Sequence, residues 1–159
     1  MTSRRLIEMI ANTGTYLDSP FHRYAEGKDL ADLPLGSIAD LDCVVARVLA
    51  RHERAIDRLP LTEADVRGRA VLVHTGWDQH WGTERYFKEH PYLTGALAAW
   101  LVQAGAVLVG IDSLNIDGTD GHDRPEVFAH GETQVERAVT LSGVERGDAL
   151  ERLVVRAVK

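Results

Sequence analysis

One cysteine, Cys43, stands in 159 residues, so internal disulfides are excluded and a reducing cytoplasm fits. The thiol is expected to serve as a small buried apolar group. The chain also has no surplus of basic residues. Lys and Arg number 18 against 24 Asp and Glu, a net charge of −6. Nucleic acid is therefore excluded as a partner, since phosphate contacts need Lys and Arg gathered on one face. Long apolar runs are missing as well. A stretch such as Ala104–Ile111 falls far short of the ~20 residues a membrane span needs, so no membrane partner is expected. The N-terminus, MTSRRLIEMIANTG, carries two arginines but neither a long apolar core nor a small-residue cleavage site, and no signal peptide is expected there. Linkers, low-complexity tracts and internal repeats are absent, which predicts a single domain over residues 1–159.

What is present suits a globular enzyme-sized core. Apolar residues make up 45% and charged residues 26%, an ordinary balance. A chain of this length buries roughly 70% of the surface its unfolded form exposes. The pattern predicts an opening strand over Arg4–Ile10. Residues 12–22, NTGTYLDSPFH, concentrate Gly, Pro, Asn, Asp and Ser and read as an irregular functional loop. Tyr24–Asp32 reads as polar connection, Leu33–Leu35 as loop and Leu41–Ala46 as strand. Leu61–Val66 reads as a short helix capped by Thr62, with acidic residues in its first turn where the helix dipole favours them. Gly68–Gly76 is a buried strand ending at glycine. Tyr92–Ala104 has helical spacing, with Thr94 as N-cap and Gly105 as stop. Ala106–Asp112 is a second buried strand. Strand, loop, helix and strand in that order imply a right-handed parallel crossover. Gln134–Leu141 fits strand or helix equally, and Leu153–Val158 reads as a closing strand.

Two places can carry chemistry, and two more only look as if they do. Asp112 ends an apolar strand, the usual position of a ligand or catalytic residue in a parallel sheet, and equally that of a cap or turn residue. Asp18 and His22 lie four apart around Pro20, which forbids a regular helix and stiffens the loop. An Asp and a His so held can act as an acid/base pair or as metal ligands. The run Asp117–Arg124 looks like a calcium loop only superficially, because the glutamate expected at its twelfth position is missing. His74, His80 and His90, around Trp77 and Trp81, show no i, i+4 zinc spacing and read as polar loop groups.

The segment NTGTYLDSPFH resembles the signature H-x-G-T-H-x-D-x-P-x-H of the cyclase, or kynurenine-formamidase-like, family of metal-dependent hydrolases. The stretch from Gly68 to Asp117 resembles the central part of that family, with its T-G-W strand end, its h-P-y-L turn, its helix and its G-I-D strand. QVERAVTL resembles the late I-V-E-x-L-x-x-L motif. The resemblance spans roughly residues 8–141 and implies an α/β, kynurenine-formamidase-like swivelling β/β/α fold with a mixed sheet and a barrel-like β portion. On this reading the chain is a shortened member with an altered metal-binding signature.

In that family two histidines and the aspartate of the signature bind a divalent metal, usually zinc, and the last histidine is thought to shuttle protons. Gly14, Thr15, Asp18, Pro20 and His22 match, and the late glutamate matches Glu136. The two histidine positions hold Asn12 and Tyr16, and the later histidine falls at or near Arg124, with His122 and His130 close by. A neutral amide and a protonated phenol are poor zinc ligands. The resemblance therefore implies an enzyme acting on a carbonyl-, amide- or lactone-bearing small molecule by acid/base catalysis, with no cofactor expected. His22 would be the general acid/base, Asp18 its orienter, and Tyr16 or Arg124 the stabiliser of oxyanion charge, with Glu136 in the same set. Asn12, Thr15, Trp77 and Trp81 are expected to bind substrate. The alternatives are a Zn or Mn hydrolase with a rebuilt site at Asp18, Glu136 and His122, and a non-catalytic binding protein. Uncovered sheet edges predict a homodimer or higher homo-oligomer.

Overall fold

Val71, Leu72 and Val73 are consecutive and all apolar, a run that suits a strand covered on both faces. The computed structural model, which describes residues 6–8, 14–22, 25–48, 53–119 and 138–140 (backbone alone for residues 22 and 138–140), places them so. The strands are β1 (Tyr16–Asp18), β2 (Cys43–Arg47), β3 (Ala55–Ile56), β4 (Ala70–His74), β5 (Tyr92–Leu93), β6 (Leu108–Ile111) and β7 (Ala138–Thr140). The α-helices are α1 (Glu63–Val66) and α2 (Gly95–Ala104). Five strands form one mixed sheet in the order β1-β7-β6-β4-β2, and β3 pairs with β5 in a second, parallel pair. β2, β4, β6 and β7 run parallel, and β1 is antiparallel to β7. Neither sheet closes among the described residues, so the barrel-like portion is not seen there.

Alternation divides the core. Val71, Val73, Val109 and Ile111 point to one face and pack with Leu97, Ala98, Leu101 and Ala104 of α2 and with Val66 of α1. Ala70, Leu72 and Leu108 point to the other, where Leu17, Cys43 and Val45 join them. Cys43 is therefore half-buried rather than fully enclosed, and burial pushes its thiol pKa up.

Local chemistry explains the element ends. Thr62 and Asp65 form a reciprocal capping box at α1. The Thr94 hydroxyl accepts from Leu97 N at 3.2 Å, and Gly105, at φ 84°, ends α2 in the left-handed region. The expected strands at Gly68–Gly76 and Ala106–Asp112 contain β4 and β6, and that at Leu41–Ala46 covers β2 except its last residue, Arg47.

Three expectations are corrected and one open choice is decided. Residues 12–22 were read as irregular, yet Tyr16–Asp18 is a strand, because its pairing partner lies far along the chain at β7. Tyr92 and Leu93, assigned to the helix, form β5, and the helix begins after Thr94. Gln134–Leu141 resolves as strand at Ala138–Thr140. Leu6–Glu8 of the expected opening strand carry no strand and are exposed, and the rest of Arg4–Ile10 and all of Leu153–Val158 lie outside the described residues.

After β1 the chain makes a 3-10 turn at Pro20–His22 and returns so that Phe21 N donates to Lys28 O at 3.3 Å. Gly27 lies against it: a Cβ there would meet Pro20 C at 2.6 Å and Phe21 N at 2.8 Å. Backbone atoms cannot give way as a flexible side chain would. Gly27→Ala is therefore expected to cost about 1–3 kcal/mol in urea denaturation and to increase proteolytic cleavage within residues 14–30. An unchanged midpoint and cleavage pattern would show that the turn tolerates the displacement.

Candidate functional site

β4 and β6 are parallel neighbours with Val73 opposite Ile111, so the residues that follow them emerge side by side. Asp112 emerges from β6 and is 2% exposed. After β4 the chain must turn sharply. Gly76 does this at φ 75°, ψ 14°, a conformation that favours glycine, and a 3-10 helix over Trp77–His80 follows. The turn presents its donors to the Asp112 carboxylate. Oδ1 accepts from Thr75 N at 2.8 Å and from the Thr75 hydroxyl at 2.6 Å, and Oδ2 accepts from Gly76 N at 2.7 Å. The Thr75 hydroxyl in turn accepts from Trp77 N at 3.2 Å.

His74, the last residue of β4, alternates to the Leu72 side and places Nε2 3.8 Å from Asp112 Oδ2, with 26% of its side chain exposed. Asp78, half-buried in the 3-10 helix, completes a group in which one donor atom from each of His74, Asp78 and Asp112 lies within 4.8 Å of the others. Burial pushes the Asp112 pKa above the usual carboxylate range. The bonds from Thr75 and Gly76 and the neighbouring His74 pull it down without cancelling that effect. Residue types at this point can exchange a proton or ligate a divalent cation. Asp112 thus fits the turn reading of a strand-end aspartate, and its carboxylate also lies beside His74. His74 is a strand residue rather than the polar loop group it was read as.

Of the signature residues, Thr15 is exposed, and Tyr16 and Asp18 are half-buried on β1. Leu17 packs beside Leu72, so alternation points Tyr16 and Asp18 to the opposite face, that of Val109 and Ile111. Tyr16 lies level with Ile111 across β7, while Asp18 pairs with Ala138 and hence lies level with Val109. Along ~3.3 Å per residue and ~4.8 Å per strand, the Asp18 backbone is roughly 10 Å along and roughly 10 Å across the sheet from that of Asp112. His22 closes the 3-10 turn. Ala138, two positions after Glu136 in the chain, is the partner of Asp18. Asn12, His122, Arg124, His130 and Glu136 lie outside the described residues.

Trp77 is buried and donates Nε1–H to Tyr86 O at 3.1 Å, which commits its polar edge to the fold. Trp81 is 46% exposed and packs edge-on against Tyr86, with ring centroids 5.0 Å apart. His80 meets Trp77 edge-to-face, with ring centroids 4.6 Å apart. His90, read as a loop group, is fully buried. Its Nδ1 donates to Pro91 O at 3.1 Å, and its Nε2 lies 3.2 Å from the Thr119 hydroxyl. Ser113 Oγ donates to Pro91 O at 2.7 Å, tying the same turn to the end of β6.

Comparison with known proteins agrees with the sequence resemblance. Residues 3–118 match the family described as "Putative cyclase". The chain is 34% identical over 116 residues to the kynurenine formamidase of Geobacillus thermodenitrificans, covering 70% of this chain and 51% of that one. It is 28% identical over 149 residues to the kynurenine formamidase of Bacillus cereus, covering 89% of this chain and 67% of that one. It thus spans from about half to about two thirds of these relatives. A solved structure described as a potential metal-dependent hydrolase with cyclase activity superposes with a TM-score of 0.62 at 21% identity, over 89% of this chain and 67% of the other, which supports a shared fold.

The Thr75 hydroxyl bonds Asp112 in a site that water does not reach. Thr75→Val is expected to lower stability by about 1–3 kcal/mol. Asp112 is raised in the folded state, and losing a donor to its charged form raises it further. Both proteins carry Asp112 protonated well below its ordinary pKa, so the gap should be smallest there and widen as pH rises through the raised values. Denaturation midpoints at acidic and neutral pH measure this, and a gap that narrows with pH would contradict it.

Proposed function

The chain belongs to the cyclase family, and from that membership we propose that it is an enzyme acting on a small molecule bearing a carbonyl, amide or lactone group. The reaction would be hydrolysis, cyclisation or dehydration, carried by acid/base chemistry without the zinc usual at the family signature. The observation that carries this reading is Tyr16. It stands on β1 where the resemblance places a metal-binding imidazole, on the same face of the strand as Asp18. A protonated phenol does not replace an imidazole as a zinc ligand, so the donor set there does not fit the metal. A phenol and a carboxylate side by side do fit a carbonyl substrate, the first donating to developing oxyanion charge and the second orienting a base. His22, four residues after Asp18, is the base in this proposal. Its ordinary pKa of about 6.5 lets it take and give a proton near neutral pH. Glu136 and Arg124 complete the proposed set, with Asn12, Thr15, Trp77 and Trp81 on the substrate.

The name of the relatives suggests the substrate class to try first, an aryl formamide such as N-formylkynurenine, followed by simple aryl lactones. Activity is expected to survive a chelator and to fall about 10²–10⁴-fold in His22→Ala. Activity abolished by chelation and restored by zinc or manganese, or full activity in His22→Ala, would overturn the assignment. A chain that binds such compounds without turning them over would be a binding protein instead.

The same reading includes the swivelling β/β/α arrangement, a cytoplasmic setting and a homo-oligomer. Among the described residues β1 and β2 are the sheet's edge strands, whose backbone groups invite pairing. A strictly monomeric species at micromolar concentration in light scattering would contradict the oligomer.

A further inference from the structure

His74, Asp78 and Asp112 come together through three separate features of the fold. Parallel pairing sets Asp112 beside the end of β4, strand alternation turns His74 toward it, and the Gly76 turn brings Asp78 back over both. We propose that this chain binds one divalent first-row transition ion, of the zinc or manganese class, at His74, Asp78 and Asp112. The site is separate from the signature, because His74 follows Leu72 on one face of the sheet while Tyr16 and Asp18 point to the other.

The Asp112 carboxylate is prepared as a ligand. Thr75 and Gly76 hold it through three hydrogen bonds, two on Oδ1 and one on Oδ2, which leaves the second lone pair of Oδ2 on the His74 side. Metal-binding carboxylates are held by an outer shell of this kind. No lysine or arginine among the described residues forms an ion pair with Asp78 or Asp112. Two carboxylates thus face one imidazole and leave negative charge that a cation neutralises. The donors, within 4.8 Å of one another, must close by about 1 Å to reach zinc-type bonds of ~2.0–2.2 Å. Asp78, half-buried on a 3-10 helix, can supply that movement by side-chain rotation. One nitrogen and two oxygens without a thiolate select zinc, manganese or iron over copper(I), and the imidazole disfavours calcium, which takes six to eight oxygens.

The proposal is independent of the acid/base reading, and binding rather than turnover tests it. The full chain is stripped with a chelator, dialysed, and titrated with Zn²⁺ and Mn²⁺ by calorimetry and with Co²⁺ by visible absorption. One equivalent is expected to bind. His74→Ala and Asp78→Asn, each verified as folded by circular dichroism, should weaken binding at least tenfold, while Tyr16→Phe and Asp18→Asn leave it within twofold. Absence of binding, binding unchanged in both His74→Ala and Asp78→Asn, loss confined to Asp18→Asn, or tighter binding of Ca²⁺ or Mg²⁺ would each overturn it.

Discussion

The Asp112 carboxylate is the tie on which the carboxyl end of the sheet depends. β4 and β6 are joined through the long Thr75–Val107 connection, so no hairpin fixes their ends. Three donors from Thr75 and Gly76 converge on Asp112 instead. The Thr75 hydroxyl passes the restraint to Trp77 N, and the Trp77 indole passes it to Tyr86. Hydrogen bonds to a charged group stabilise by about 1.5–3 kcal/mol each, while removing a carboxylate from water costs several kcal/mol. The two terms are of the same size. The tie fixes geometry more than it adds stability, and the residual cost of the buried charge is the reason the Asp112 pKa stays raised.

That geometry gives the sheet two polar ends with different characters. On one face, at the ends of β4 and β6, His74 and Asp112 are held by short-range turn chemistry. On the other, at β1, an edge strand among the described residues, Tyr16 and Asp18 are placed by pairing with β7. Side chains brought together by a turn keep their relation as long as the turn is intact. Those on an edge strand depend on a partner strand supplied from far along the chain. The first arrangement is fixed locally, and the second only through the pairing of β1 with β7.

Elements with a local cause were legible in the sequence. α1 and α2 announce themselves by Thr62, Thr94 and Gly105, whose caps are built within a few residues, and β2, β4 and β6 by uninterrupted apolar runs. Elements with a distant cause were not. β1, β3 and β5 are two or three residues long, too short to show alternation, and exist because of partners elsewhere. The same distinction separates the site residues. Asp112 could be singled out as the end of an apolar strand. His74 could not, because only the parallel register shows that it and Asp112 end adjacent strands. His90 has the look of a loop histidine between Glu89 and Pro91, and its burial follows from Thr119 and Pro91 closing over both ring nitrogens.

The signature loop shows which of its positions answer to backbone geometry and which do not. Gly14 occupies the left-handed region at φ 73° just before β1. Gly27 leaves no room for a Cβ against Pro20 and Phe21. These residues answer to backbone geometry, and a different side chain at either would strain or displace the turn whatever the loop binds. Tyr16 is under no such constraint. As the first residue of β1 it must adopt extended backbone, which an aromatic residue does readily, and its side chain points away from the Leu17 face. Imidazole and phenol are therefore equally compatible with the strand, and the choice between them is left to chemistry. The glycines and the proline preserve the loop, and the side chain at position 16 is left free to vary.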